Sequence, residues 1–444
     1  MSNTVTHRTD GLSSGGLSAL IARSRDGLRT AVTTLTLIIF WISFEPFAGD
    51  RVTQEVFGTA TSGNLINQLG FTALFGLVLF SMLSFTPPAA IVRLLSFSWM
   101  VVIVMLGVSV VFAPDTNAAM RAFLFTTFTL LTAAGLCVLP KNADSFCRSI
   151  LIAGGAVLVL SYVGVVIFPA QAIHQPGAIE AQHTGLWRGV FTHKNIAGPI
   201  MATLTFAGIY MFRRGMRGWG VLFTLAAFVF VLKTGSKTSA ALVPAVILMV
   251  LIPASLGTRA LGAFIVTLAI VGTHALTIGT VYVPFFDDIL RIFSSTTTYT
   301  GRIEIWTFAK DYVTQNPLTG FGFDGFWRTP NSLSAELAFD QTWDPRNMIH
   351  GHNGFLDVAL HFGLLCLALV IWLLVFAPAI AYARTKRTPE NGYMADFFYM
   401  IIAFTGMNAA LESFYFQRSD PVWLTLVIAA FGLRLTSRFS VMSR

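Results

Sequence analysis

His350-Gly-His-Asn-Gly-Phe-Leu-Asp-Val-Ala-Leu-His-Phe-Gly-Leu-Leu-Cys-Leu-Ala-Leu-Val-Ile-Trp-Leu-Leu-Val-Phe-Ala-Pro-Ala-Ile380 decides the fold class. From Gly354 to Ile380 the run carries one acid, Asp357, and one histidine, His361. A helix needs about 20 mainly apolar residues to cross a bilayer, and this run exceeds that length. Its polar residues gather at its head, where a spanning helix would meet water.

Working outward, the rest of the chain repeats the pattern. Of 444 residues, 55% are hydrophobic and 11% charged, and mean hydropathy is +0.70. Soluble domains carry about 25% charged residues. The chain therefore reads as an all-α polytopic integral membrane protein. About 12 spans are expected, at 28–45, 64–84, 90–112, 118–139, 149–168, 194–212, 218–234, 238–256, 260–281, 354–380, 393–413 and 418–437. The pair around Lys233-Thr234-Gly235-Ser236-Lys237-Thr238 could bend there rather than make a full turn outside.

Five regions follow: a disordered cytoplasmic tail over 1–27, helices 1–9 over 28–281, a periplasmic loop over 282–353, helices 10–12 over 354–437, and a tail over 438–444. The first span has neither the short charged leader nor the small-residue cleavage pattern of a cleavable signal, so it is expected to stay. Basic residues mark the cytoplasmic side. With both termini inside, that side holds Arg93, Lys141, Arg148, Arg213, Arg214, Arg217, Arg259, Arg384, Lys386 and Arg387, while Glu45, Asp115, Asp287 and Asp288 fall outside. The net charge of +8 is scattered over short loops, which excludes a nucleic-acid stripe. Cys137, Cys147 and Cys366 show no metal-ligand spacing and read as free thiols.

The loop over 282–353 is too long to be a mere connection. Ile303, Ile305, Trp306, Ala309 and Val313 mark an amphipathic helix, and Pro317-Leu318-Thr319-Gly320-Phe321-Gly322 a turn. Phe323, Phe326, Trp327, Phe339 and Trp343 follow, and the pattern predicts a folded cap with one or two short helices near the membrane surface.

Three segments place cations and histidines where spans meet water on this same side. They are Trp187-Arg188-Gly189-Val190-Phe191-Thr192-His193-Lys194-Asn195, Gly301-Arg302 and His350-Gly351-His352-Asn353. Arg188 and Arg302 are either phosphate clamps, since guanidinium is a rigid fork for two oxygens, or anchors at helix ends. Glu304 is a mundane partner for Arg302. Lys237, among Gly235, Ser236, Thr238 and Ser239, is either part of an anion nest or an interfacial lysine. His352 can serve as a general base, with His350 and His193 as further candidates. Asn353 can cap the following helix. Asp357 and His361, at i and i+4, either pair with one another or leave Asp357 to orient the site. His350 and His352 lack a second His or Cys pair, so no metal site is expected. No phosphate-binding glycine loop, Asp-x-Asp or Gly-x-Ser-x-Gly occurs, and few acids lie deep in the spans. That argues against ATP-driven, nucleotide-sugar, serine-hydrolase and proton-coupled chemistry.

Taken together these motifs resemble the O-antigen ligase and polymerase superfamily of bacterial envelope glycan enzymes, from about Arg188 to Gly363. The signature His-Asn, nine residues, Gly, two residues, then Gly, Thr or Tyr appears as His352-Asn353 through Gly363, with Cys366 departing at the last position. Arg188 matches the family's first arginine and Arg302 its second, and Pro317 to Gly322 match a loop pattern. The wording around Arg188, with Thr234-Gly-Ser-Lys-Thr-Ser239, looks most like the exopolysaccharide polymerase branch, of the succinoglycan type.

The resemblance implies a GT-C-like, metal-independent inverting glycosyltransferase of the bacterial inner membrane, working at the periplasmic face without cofactor. Donor and acceptor would be oligosaccharide repeat units on undecaprenyl pyrophosphate, in the lipid bilayer. A flippase and a chain-length co-polymerase would be its export partners, with no nucleic acid. Arg188, Arg302 and Lys237 would bind pyrophosphate. His352 would be the catalytic base, supported by Asn353, His193, Lys194, Asn195, His350 and Asp357. One such phosphate clamp is worth ~3–4 kcal/mol of barrier, and base catalysis about 10²–10⁴-fold. The alternatives are an O-antigen ligase transferring glycan to a lipid A core and, further off, a lipid-linked glycan transporter.

Overall fold

The structure, a computed structural model, describes residues 14–48, 65–176, 181–293, 299, 301–335, 344, 346, 348–386 and 388–441. Thirteen longer helices carry the architecture: α1 Ser14–Ile42, α2 Leu65–Phe85, α3 Phe97–Ser109, α4 Thr116–Gly135, α5 Ala143–Ile167, α6 Lys194–Arg213, α7 Arg217–Lys233, α8 Lys237–Ser255, α9 Arg259–Ala275, α10 Arg302–Gln315, α11 Gly354–Ile371, α12 Pro389–Asn408 and α13 Pro421–Arg438. Among the described residues no strand forms, only an isolated bridge between Ile173 and Trp187. The protein is all-α, and the apolar runs overlap these helices, although the run 90–112 is divided between Pro88–Val92 and Phe97–Ser109. Among the described residues, six helical segments are long and apolar enough to cross a membrane by length and composition. The apolar stretches Phe97–Phe112 and Arg259–Ala275 are shorter.

Lipid-like exposure is unevenly distributed. Leu65, Phe80, Phe97 and Val166, on α2, α3 and α5, stand open, whereas α6, α12 and α13 are buried nearly all round. A helix apolar on every face belongs inside a bundle or in lipid. Where lipid surrounds a bundle, small residues let backbones approach. Gly208 of α6 and Gly220 of α7 do this: a Cβ on Gly220 would meet the Phe212 backbone nitrogen at 2.6 Å. Charge in the core is concentrated on Asp396 of α12, fully buried. It accepts from Arg213 at 2.7 Å, Arg259 at 2.9 Å and the Tyr382 hydroxyl at 2.8 Å. Two of the basic residues read as topology markers are thus also partners of a core carboxylate.

Three expectations need correction. The helix of α1 begins at Ser14, so residues 14–27 are helical rather than disordered. They are polar enough to read as a tail, but Arg25 donates to the Phe85 carbonyl and Asp26 pairs with Lys141 at 2.7 Å, which fixes them to neighbouring helix ends. The run 354–380 is not one continuous helix. Gly363 breaks α11 with φ 78 and ψ 172, and the chain then continues through a π turn, Trp372–Phe376, to Ala383. Third, the cap packs into the bundle as well as lying over it. Ile305, Trp306, Ala309 and Val313 of α10, with Phe326 and Trp327, form one buried cluster with Leu356, Ala359 and Leu360 of α11.

The break and the cap explain one another. Backbone N–H groups of Phe321 and Gly322 donate to Leu360 and His361 carbonyls at 2.8 and 3.0 Å, and Leu364 N–H donates to Pro317 at 2.7 Å. The Pro317–Gly322 turn therefore satisfies the carbonyls that the break leaves orphaned. Only glycine fits at the break, because a Cβ on Gly363 would lie 2.2 Å from the Leu318 carbonyl oxygen. Phe339 and Trp343 lie outside the described residues.

Candidate functional site

Short turns place several helix starts at one end of the bundle. Arg214 to Met216 join α6 to α7, and Thr234 to Ser236, with Gly235 at φ 64, join α7 to α8. The starts of α6 and α8 therefore share an end. Gly198 lets them touch, since a Cβ there would sit 2.8 Å from Ser239 Oγ. The starts of α10 and α11 meet at the same end, because Asn195, in the first turn of α6, shares a carboxylate with Arg302, as described next.

That carboxylate is Glu412, in the connection from α12 to α13, which sequence reasoning did not single out. Glu412 Oε1 accepts from Arg302 Nη2 at 3.0 Å and from Asn195 Nδ2 at 3.0 Å. Its Oε2 lies 3.5 Å from His352 Nδ1. The last is a charge contact rather than a firm hydrogen bond, and Nδ1 has no other partner. Burial raises the Glu412 carboxyl, but His352 and Arg302 outweigh it and hold it below its ordinary value. It is an anion wedged between two cationic or protonatable groups.

The local chain builds this geometry. Gly301 enters α10 in the left-handed conformation, φ 79, and puts Arg302 at the first helical position. Asn353 is fully buried and does more than cap α11. Its Oδ1 accepts from Leu356 N–H at 3.0 Å, its Nδ2 donates to the Ala410 carbonyl at 3.1 Å, and its own N–H donates to Ser413 Oγ at 3.1 Å. It therefore staples the histidine segment to the Glu412 segment. Between them His352 is held at φ 51, a left-handed conformation that costs a non-glycine residue roughly 1–3 kcal/mol.

Asp357 supports this loop from behind. Its carboxylate accepts from Gly351 N–H at 2.9 Å and from Trp327 Nε1 at 2.8 Å. Of the two readings of Asp357 and His361, the pair does not form: His361 Nδ1 faces the Gly322 carbonyl at 3.3 Å instead. Asp357 fixes the loop that carries both histidines. The rings of His350 and His352 are 4.3 Å apart, and His350 Nδ1 accepts the His352 N–H at 3.3 Å. Burial pushes His350 down to about 3, with His352 adding to the effect, so it is a neutral acceptor.

The remaining candidates sit around this cluster. His193 caps α6 by accepting from Asn195 N–H at 3.1 Å, and its ring is 5.0 Å from that of His174, which accepts the Lys194 N–H at 3.3 Å. Lys237 is exposed at the first position of α8. Ser236 spends its hydroxyl capping that helix, and bonds Ser239 Oγ at 2.9 Å. Arg188 is buried, and its Nε and Nη2 donate to Gln171 and Ala170 carbonyls at 2.8 and 3.3 Å. It thereby ties its loop to the short helix Pro169–Ala172. The next residue, Gly189, has φ 61, and a Cβ there would meet Ser161 Oγ at 2.7 Å. Of the expected residues, Arg302, Asn195 and His352 contact Glu412 directly, His350 and Asn353 hold His352 and the Glu412 segment, and Asp357 braces the histidine loop through Gly351.

Among the described residues, ligand atoms of His350, His352 and Glu412 lie within 4.8 Å of one another, so this trio could hold a metal ion. Glu412 supplies the third ligand that the sequence pattern lacked. The Arg302 guanidinium already bonded to Glu412 Oε1 competes with any cation for that oxygen.

Fold and site define a multi-pass membrane protein with an arginine, a histidine and a carboxylate clustered at one end of its bundle. Residues 220–371, about a third of the chain, match the family described as Wzy_C, O-Antigen ligase. A stretch of 114 residues is 28% identical to "Exopolysaccharide production protein ExoQ" of Rhizobium meliloti (strain 1021), covering 25% of this chain and 26% of that protein. Both matches are to proteins of the O-antigen ligase/polymerase kind, and each covers only part of the chain. The family region contains Lys237, Arg302, His350, His352, Asn353 and Asp357, while Arg188, Asn195 and Glu412 lie outside it.

Proposed function

We propose that the protein is an exopolysaccharide polymerase that joins oligosaccharide units carried on undecaprenyl pyrophosphate, at the periplasmic face of the inner membrane. The observation that carries this reading is the single carboxylate, Glu412, shared by Arg302 and His352. It assembles the two groups that glycosyl transfer from a lipid pyrophosphate requires: a cation for the leaving group and a base for the attacking hydroxyl. The similarity to a protein named for exopolysaccharide production favours polymer over lipid A core as the acceptor's fate.

His352 Nε2 takes the proton of an acceptor hydroxyl as its oxygen bonds to the donor's anomeric carbon. The bond from that carbon to the pyrophosphate oxygen breaks, and its electron pair leaves with the pyrophosphate. Attack from the opposite face inverts the anomeric centre. Glu412 stabilises the imidazolium through Nδ1. Arg302 meets the charge developing on the leaving group, where such contacts act most strongly. Lys237, exposed at the start of α8, is the further cation for the pyrophosphate, while Arg188 holds its loop against the short helix Pro169–Ala172. Asn195 and Asn353 hold Glu412 and His352 in register, and Asp357, His350, His193 and Lys194 shape the walls. A flippase delivers the donor and a chain-length co-polymerase sets its use.

The test is polymer formation by purified protein from lipid-linked repeat units, without added nucleotide and in EDTA. Chains longer than one unit with inverted linkage are expected, lost in His352→Ala. Transfer of a single block to a lipid A core acceptor instead would indicate the ligase reading. Loss of activity in EDTA, restored by a divalent ion, would overturn the metal-independent mechanism and turn attention to His350, His352 and Glu412 as ligands.

A further inference from the structure

At the end of the bundle opposite His352, the ends of α1, α2, α5, α12 and α13 enclose a cavity of about 380 Å³. Its lining divides by chemistry. Arg29, Arg93 and Lys141 supply charge, while Phe146, Phe398 and Leu435 form an apolar wall, and no acid lines it.

The polar side is built rather than incidental. Arg29 is 9% exposed, and its Nε and Nη2 donate to the Leu139 and Val138 carbonyls at 2.6 and 3.4 Å. Among the described residues its Nη1 makes no hydrogen bond. Thr86, 4% exposed, also lines the cavity, and its Oγ1 has no partner. A buried hydroxyl left unbonded is costly, so it calls for an acceptor. Lys141 is held at the rim by Asp26 at 2.7 Å. Arg93 lies over the Phe439 ring at 4.3 Å. Three cations against this one neighbouring acid leave the cavity positive.

A phosphate is the group that this set fits: it offers acceptors to Arg29 Nη1 and Thr86 Oγ1 and carries the negative charge that Arg29 and Arg93 lack. The apolar wall calls for a hydrocarbon chain on the same molecule. We infer that this cavity binds the phosphate head of an acidic lipid, with its chain against Phe146, Phe398 and Leu435. Basic pockets between membrane helices bind acidic lipid heads in this way, each Lys or Arg contributing about 1 kcal/mol, which is about fivefold in affinity. The site is separate from the cluster around Glu412 and holds whichever reaction that cluster performs.

The experiment is native mass spectrometry of the full chain in detergent, titrated in turn with dioleoylphosphatidylglycerol, dioleoylphosphatidylcholine and inorganic phosphate. The phosphatidylglycerol should bind one per chain, tighter than the choline lipid and far tighter than phosphate alone. Arg93→Gln and Thr86→Val should each weaken it about fivefold, because one removes a cation and the other a donor without disturbing the Arg29 bonds. Arg418→Gln, an exposed charge paired with Asp324 near the other end, should leave it unchanged. Thermal unfolding of each variant shows that it is folded. Equal binding of the two lipids, or no effect of Arg93→Gln and Thr86→Val, would overturn the site. Phosphate alone binding as tightly as the lipid would overturn its lipid nature.

Discussion

Glu412 is one residue on which three helix starts converge, so its removal is the sharpest test at this scale. Glu412→Gln keeps the shape and the hydrogen bond from Asn195 but removes the charge between Arg302 and His352. Polymer synthesis is expected to fall by at least about a hundredfold, the range of a positioned base, with protein level and lipid-donor binding little changed. Arg302→Lys separates geometry from charge. A lysine ammonium cannot hold Glu412 and a phosphate oxygen through one planar fork, so initial rates should fall nearly as far as in Arg302→Ala. Rates close to wild type in the lysine variant would leave Arg302 only as an anchor.

His350 gives a pH prediction. Its imidazole is held at about 3 in the folded protein against an ordinary 6.5. Above pH 6.5 both folded and unfolded states are neutral. Below it the unfolded chain takes a proton that the folded site refuses, so stability should fall from about pH 6.5 toward 3. His350→Asn should flatten that slope in thermal unfolding measured from pH 7 to pH 4. Glu412, with its lowered value, loses its contribution only at still more acid pH, below its ordinary 4.5.

Among the elements, α11 is the one whose irregularity matters. Gly363 breaks it so that Pro317 to Gly322 can bond its open carbonyls, and that contact holds α10, and hence Arg302, against the helix that carries His352. Gly363→Ala should destabilise the protein by at least about 2 kcal/mol, from the left-handed backbone alone, and the clash with Leu318 adds to this. Synthesis should drop with it while both ends of the chain still insert. The cap helix was legible in sequence: of the residues named for its apolar stripe, Ile305, Trp306, Ala309 and Val313 are buried and Ile303 is half-buried. The break was not. A glycine within an apolar run gives no sign of its φ, which is set by a turn more than 40 residues earlier in the chain.

For the whole molecule, orientation is the property to test. Reporter fusions after Arg217 and Arg387 should report cytoplasm, and a fusion at Ser334 periplasm, because basic residues concentrate in the short connections at one end. A cytoplasmic signal at Ser334 would put the Glu412 cluster on the face without lipid-linked glycan and remove the proposed reaction.

By itself the sequence determined the helical membrane class and the positions of the apolar runs. The bilayer imposes length and apolarity on each span separately, and both can be read locally. It also marked Arg302, His352 and Asn353, because each stands at a helix start where polar residues are conspicuous. Only the tertiary structure decided which of the marked residues meet. Glu412 is an ordinary acid after an apolar run, with nothing nearby to distinguish it, and its role arises from Asn195, Arg302 and His352 arriving from three distant segments. Arg188 shows the converse: a cation conspicuous in sequence whose guanidinium, once folded, rests on backbone carbonyls. Charge at a membrane edge is legible residue by residue, but the partner that gives it a task is chosen by helix packing.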